Sequence, residues 1–98
     1  MSYSEHVTEH LRITILRLLD ESPAMRSNES LIADAVGEYG FAPSRDKMRT
    51  ELAWLAEQGL VTLDGDSCLV ATLTARGEDV AKCRATAPGV KRPNMSRG

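Results

Sequence analysis

Ser44, Arg45, Lys47, Arg49 and Thr50 fall within seven consecutive residues, SRDKMRT, beside an aliphatic series Met48, Leu52, Leu55. Wound as a helix, that series forms one inward stripe and leaves Arg45, Asp46, Arg49 and Thr50 on the opposite side near the N-terminus. Guanidinium and hydroxyl groups in that place suit a polyanion. Arg is the two-pronged partner of the guanine edge, and a serine-capped helix start attracts phosphate. The competing reading is a solvated helix face, with the bases paired to Asp46 and Glu51. Asp46 itself suits the first turn, where the helix dipole favours a carboxylate.

Other reactive residue types form weaker patterns. His6 and His10 stand one helical turn apart next to Glu5 and Glu9, a spacing able to hold a metal, but surface histidines near a helix start account for it as well. Cys68 and Cys83 are fifteen positions apart with no CxxC, so they read as small apolar residues rather than a zinc or disulfide framework. No phosphate loop, nucleophile elbow or acid–base pair is present, and neither enzyme activity nor a cofactor is expected. One Trp, one Phe and two Tyr are too few aromatics to stack a single strand. Trp54 lies off the aliphatic stripe, and packing against a hairpin base or a subunit contact is expected for it.

The elements that must position the basic helix follow from periodicity. Val7, Leu11, Ile15, Leu18 and Leu19, widened by Ile13 and Leu16, predict an amphipathic helix over residues 4–20 that Ser22-Pro23 stops. A minimal strand over 24–27 follows, and Asn28 caps a second helix with Leu31, Ile32, Ala35, Val36 and Tyr39 as its face, ended by Gly40. Phe41-Ala42-Pro43 connects to the third helix, residues 44–58, which Gly59 terminates. Two β-branched-rich runs, 60–63 and 68–73, flank Asp64-Gly65-Asp66, a strong hairpin signal. Thr74 caps a last helix to about Ala85. The chain divides into a domain over 1–85 and a basic flexible tail over 86–98, and the fold class is α+β, mainly α, in the order of a winged helix-turn-helix: three-helix core, short β-hairpin wing, C-terminal helix.

With those elements in place, the Ser cap, spaced aliphatics and closing Gly-Leu-Val of residues 44–61, and the LTARGEDVA segment of 73–81, resemble winged-helix repressors of the MarR and ArsR type. More narrowly, SRDKMRTELAWLAEQGLVTL, VATLTARGEDVA and PGVKRP look like a small winged-helix family of Mu-like phages and prophages. That resemblance implies a transcriptional regulator acting in the cytoplasm of a bacterial host. The chain departs from the repressors in two places. It carries extra residues, EYGFAP, before the third helix, and acids at the hairpin tip where DNA-binding wings present Arg or Lys.

The net charge of −2 is unevenly spread: residues 1–40 hold seven acids against three bases, whereas 82–98 hold five bases and no acid. Lys82, Arg84, Lys91, Arg92 and Arg97 therefore offer an arm that follows a DNA backbone, or a solubilising tail. The expected partner is double-stranded DNA, contacted by Ser44, Arg45, Lys47, Arg49, Thr50, Lys91 and Arg92. A homodimer is expected because the first helix has more apolar surface than one small core covers. The alternative is a winged-helix adaptor in phage replication or packaging machinery, which binds protein and not a specific DNA sequence. No apolar run approaches the roughly 18 residues that span a bilayer, and no secretory leader is evident.

Overall fold

A computed structural model describes residues 2–92. Ser2 caps the first helix, α1 (Tyr3–Glu21), through a reciprocal box in which Glu5 returns a carboxylate to the Ser2 N–H. After a turn over Pro23–Met25, β1 (Arg26–Asn28) leads into α2 (Glu29–Gly37), and α3 spans Arg45–Glu57. The chain continues through β2 (Val61–Asp64), β3 (Val70–Leu73) and α4 (Ala75–Ala81). Asn28, Ser44 and Thr74 each accept a backbone N–H at the start of α2, α3 and α4. Three side-chain caps thus fix where three helices begin.

The sheet is antiparallel with order β1-β3-β2, so the strand that leaves α1 pairs with the second strand of the hairpin. In register, Arg26 faces Thr72 and Thr72 faces Thr62, while Ala71, Leu73 and Val61 turn inward. One core lies between this inner sheet face and the helices, centred on Ile15, Leu16, Leu19, Leu52, Leu55 and Leu60. Among the described residues no helix is long and apolar enough to cross a membrane.

Several boundaries differ from the sequence reading, each for a local reason. The first strand starts at Arg26, not Ala24, because Ala24 and Met25 take left-handed backbone angles (φ 58° and 55°) that turn the chain before it can extend. The second hairpin strand starts at Val70, not Cys68, so Gly65–Leu69 form a five-residue loop between the strands. The polar groups of that loop are bound by α2 and α3 instead of the sheet. Leu31 and Tyr39, assigned to the buried face of α2, are exposed, and Ile32 and Val36, with Ala33 partly buried beside them, carry its apolar contact with the core. Helix α4 ends at Ala81, short of Ala85, because Cys83 is left-handed (φ 64°) and the Asp79 carbonyl takes the N–H groups of both Arg84 and Ala85.

The largest departure concerns residues 86–91, which composition assigns to a flexible tail. Ala87 and Val90 are buried in the core cluster, and the Lys91 N–H donates to the Glu9 carbonyl of α1 at 3.1 Å. Lys82 and Arg84 belong to the domain as well. Lys82 Nζ pairs with Asp20 of α1 (2.6 Å) and Glu78 (2.9 Å), and Arg84 pairs with Asp79 (2.9 Å). Arg97 lies outside the described residues. Leu11, Ile13, Ile15, Leu16 and Leu19 are all buried within the protomer, so the broad apolar girth of α1 is no argument for a second copy.

Among the described glycines, Gly77, in the first turns of α4, makes the tightest approach. A Cβ built there would stand 2.0 Å from the Leu60 carbonyl oxygen and 2.7 Å from Leu73 Cδ1. Gly77→Ala therefore forces α4 off the hairpin and should lower unfolding free energy by about 1 to 3 kcal/mol in urea denaturation. An unchanged midpoint would show that α4 is not seated as described.

Candidate nucleic-acid interface

The exposed start of α3 is built from Ser44 upward. The Ser44 hydroxyl accepts the Lys47 N–H at 3.0 Å, which sets the first turn and sends Arg45, Asp46 and Lys47 out in three directions. Asp46 and Thr50, one turn apart, occupy the solvent pole opposite Met48 and Leu52. Arg45 and Arg49, also one turn apart, lean to the hairpin side. Lys47 leans to the α1 side, so the cations expected to share one face are divided between two flanks.

On the hairpin flank the organising group is Glu29, the first residue of α2, whose side chain is only 5% exposed. Its carboxylate accepts Arg49 Nε at 3.0 and 3.1 Å, Arg49 Nη2 at 3.0 Å, and the Leu69 N–H. The Leu69 carbonyl in turn accepts the Glu29 N–H at 2.8 Å. Arg49 donates again to the Asp66 carbonyl at 2.6 Å, and Arg45 Nη2 donates to the Ser67 carbonyl. The hairpin loop is thereby fastened to α3. Arg49 is 33% exposed and Arg45 67%; Arg45 Nε stands 3.5 Å from Glu29, outside hydrogen-bond range. Arg45, tied to the Ser67 carbonyl and ion-paired at its inner end with Glu29, is nevertheless the more open of the two arginines and the better placed to meet an anion.

The other flank is organised by Glu51, buried on the inward stripe of α3. Arg12 Nε donates to it at 2.6 Å and Lys47 Nζ at 2.9 Å, while Lys47 also reaches Thr8 Oγ1 at 3.2 Å. Arg12 lies 3.7 Å over the Trp54 ring and donates to the Gly89 carbonyl at 2.9 Å. Trp54 thus packs against Arg12 of α1 and Gly89 of residues 86–91. Lys91 is half-buried, and Arg92 and Thr50 are exposed.

Glu29 and Glu51 were not singled out from sequence, although both carry a signal. Glu29 falls on the inward spacing of Ile32 and Val36, and Glu51 on that of Met48, Leu52 and Leu55. A carboxylate at such a position announces a cation partner. His6 and His10 are exposed, Cys68 and Cys83 are free thiols, and no cluster of three or more His, Cys, Asp or Glu among the described residues is placed to hold a metal.

The two carboxylates respond alike to acid. The Arg49 hydrogen bonds, then the Leu69 N–H, hold the Glu29 carboxyl at about 2 against an ordinary 4.5. Burial pushes Glu51 up, but Lys47 and Arg12 together outweigh it and leave Glu51 below its ordinary value. A depressed carboxyl stabilises the fold fully above its unfolded value and loses that contribution as pH falls toward its folded value. Stability should therefore decline from pH 4.5 toward about 2. In Glu29→Gln, urea denaturation should show lower stability at neutral pH and a shallower, though not flat, decline over that window. Parallel curves for wild type and variant would remove Glu29 from the acid response.

No protein-family model and no solved structure matches the chain. It is 47% identical over 88 residues to the protein gp26 of Escherichia phage Mu, covering 89% of this chain and 91% of that one. It is also 44% identical over 78 residues to a protein of Haemophilus influenzae, covering 78% and 76%. Both relatives are described only as uncharacterized proteins. At that identity, over nearly the full length of both chains, the protein belongs to the phage-associated family of phage Mu gp26.

Proposed function

We propose that this chain is a winged-helix DNA-binding protein that acts as a phage or prophage transcriptional regulator, with α3 entering the major groove. The observation that carries the reading is the exposed N-terminal end of α3. Its cap is closed, its solvent pole presents Thr50, its most open cation is Arg45, and a hairpin is bonded alongside. Support also comes from the topology: three helices, a strand inserted after the first, and a hairpin whose second strand pairs with it, in the order β1-β3-β2. In winged helices that arrangement holds the second helix of the helix-turn-helix out as the reader. Arg49 and Lys47 then act chiefly as braces for α3, and Arg45 and Thr50 make the contacts.

A second reading, a winged-helix adaptor that binds protein, is favoured by the same charges. Glu29 and Glu51 already neutralise Arg49 and Lys47, and the hairpin exposes Asp64 and Asp66. Fluorescence anisotropy with a labelled random-sequence duplex separates the two. DNA binding predicts a log–log dependence on salt of roughly −0.9 per phosphate neutralised between about 50 and 200 mM. Arg45→Ala should weaken binding and reduce the slope by about 1. Absence of wild-type binding at low salt overturns the DNA reading and leaves the adaptor.

A further inference from the structure

Residues 86–91 form a strap whose placement has a specific cause. Gly89 is left-handed (φ +89°), and a Cβ there would stand 2.7 and 2.9 Å from Trp54 Cζ2 and Cη2. Only a bare backbone lies that close to the indole. Arg12 completes the seat: it stacks on Trp54, donates to the Gly89 carbonyl, and shares Glu51 with Lys47. The group that holds the strap is thus the group that holds the first turn of α3. A polar cleft of about 430 Å³ joins the two, with Lys47 on one wall and Gly89 on the other.

Position on α3 decides what this means. Arg45 and Lys47 are two residues apart, which on a helix puts them on nearly opposite flanks. The Arg45 flank runs into the hairpin, whose exposed charges are Asp64 and Asp66. The Lys47 flank runs into the strap, from which the chain leaves through Lys91 and Arg92 over the Glu9 carbonyl. Glu5 and Glu9 line the same cleft. Glu5 accepts the Ser2 N–H at 2.8 Å but keeps its charge, so Glu5 and Glu9 both bring negative charge to the cleft, against which the strap sets two bases.

We infer that the strap, rather than the hairpin, is the element that grips nucleic-acid phosphate beside α3, with Lys91 and Arg92 as its contacts and Trp54, Arg12 and Gly89 as their positioning residues. The inference rests on the DNA reading above and assigns its backbone contact to one flank. A hairpin tip carrying two exposed carboxylates is repelled by phosphate. The strap reaches the other side of the same helix with two cations and an anchored path.

The test uses the full chain and the same duplex titration. Lys91→Glu/Arg92→Glu changes only side chains at the exit of the strap and should lower the salt slope by roughly two phosphates' worth, about 1.8. Gly89→Val should move binding in the same direction and shift the emission of Trp54, the only tryptophan, to longer wavelength as the strap lifts off the ring. Should the double charge reversal leave affinity and slope unchanged while Arg45→Ala still weakens binding, the strap assignment is wrong and the DNA reading stands. A wild type that binds no duplex overturns both.

Discussion

A carboxylate taken out of water is costly unless charge and N–H groups surround it, and at Glu29 that requirement draws three parts of the chain to one point. Its oxygens are shared by Arg49 of α3 and the Leu69 N–H of the hairpin loop, while its own backbone opens α2. Removing the carboxylate takes the shared acceptor from both Arg49 and the Leu69 N–H. Hairpin, α2 and α3 are therefore locked in one relative position, and the loop Gly65–Leu69 is shaped both by the left-handed Gly65 of Asp-Gly (φ 91°) and by bonds to α2 and α3. The favourable dipole at the start of α2 adds to the hold.

Glu51 imposes the same discipline on the opposite side. A second buried carboxylate gathers Arg12 of α1 and Lys47 of α3, and Arg12 extends the network through Trp54 to Gly89. Together the two acids brace α3 from both flanks. This rigidity has a cost in recognition: Arg49 and Lys47 are committed within the molecule. What α3 has left to offer an outside partner is narrow and well positioned, namely Arg45 and Thr50.

The helices and their order were legible in the sequence because their signals are local. Asn28, Ser44 and Thr74 cap their helices whatever the rest of the chain does, and the Met48–Leu52–Leu55 stripe names its own inward face. The coarse α+β architecture and the phage-related family followed from the same residues. What escaped depends on distant partners. Composition calls APGVKRP a tail, since nothing within it reveals that Arg12 and Trp54 wait to receive Gly89. Leu31 and Tyr39 satisfy a helical period yet lie outside the core: α2 ends at Gly37, so Tyr39 falls in the connection beyond it, and the inward positions of α2 are taken by Ile32 and Val36. Helical spacing already parts Lys47 from Arg45 and Arg49, but that Arg49 and Lys47 are each held by a buried acid depends on partners outside the segment or on the inward stripe.

Electrostatics then constrain how any polyanion could approach. With a net charge of −2, no long-range field gathers DNA toward the protein, so attraction must be local and orientation must come largely from repulsion. Residues 27–44, which run through α2 to the threshold of α3, expose Asp34 and Glu38 and contain no base. The hairpin adds Asp64 and Asp66 on a second side. Within about a Debye length of 8 to 10 Å these groups turn phosphate away from two of the borders of α3. The border toward α1 and the strap, where Lys91 and Arg92 offset Glu5 and Glu9, is left as the less hostile one. An acidic surface on this fold is thus compatible with duplex recognition provided the duplex lies across that border, and it makes the reversed orientation unfavourable without any contact to specify it.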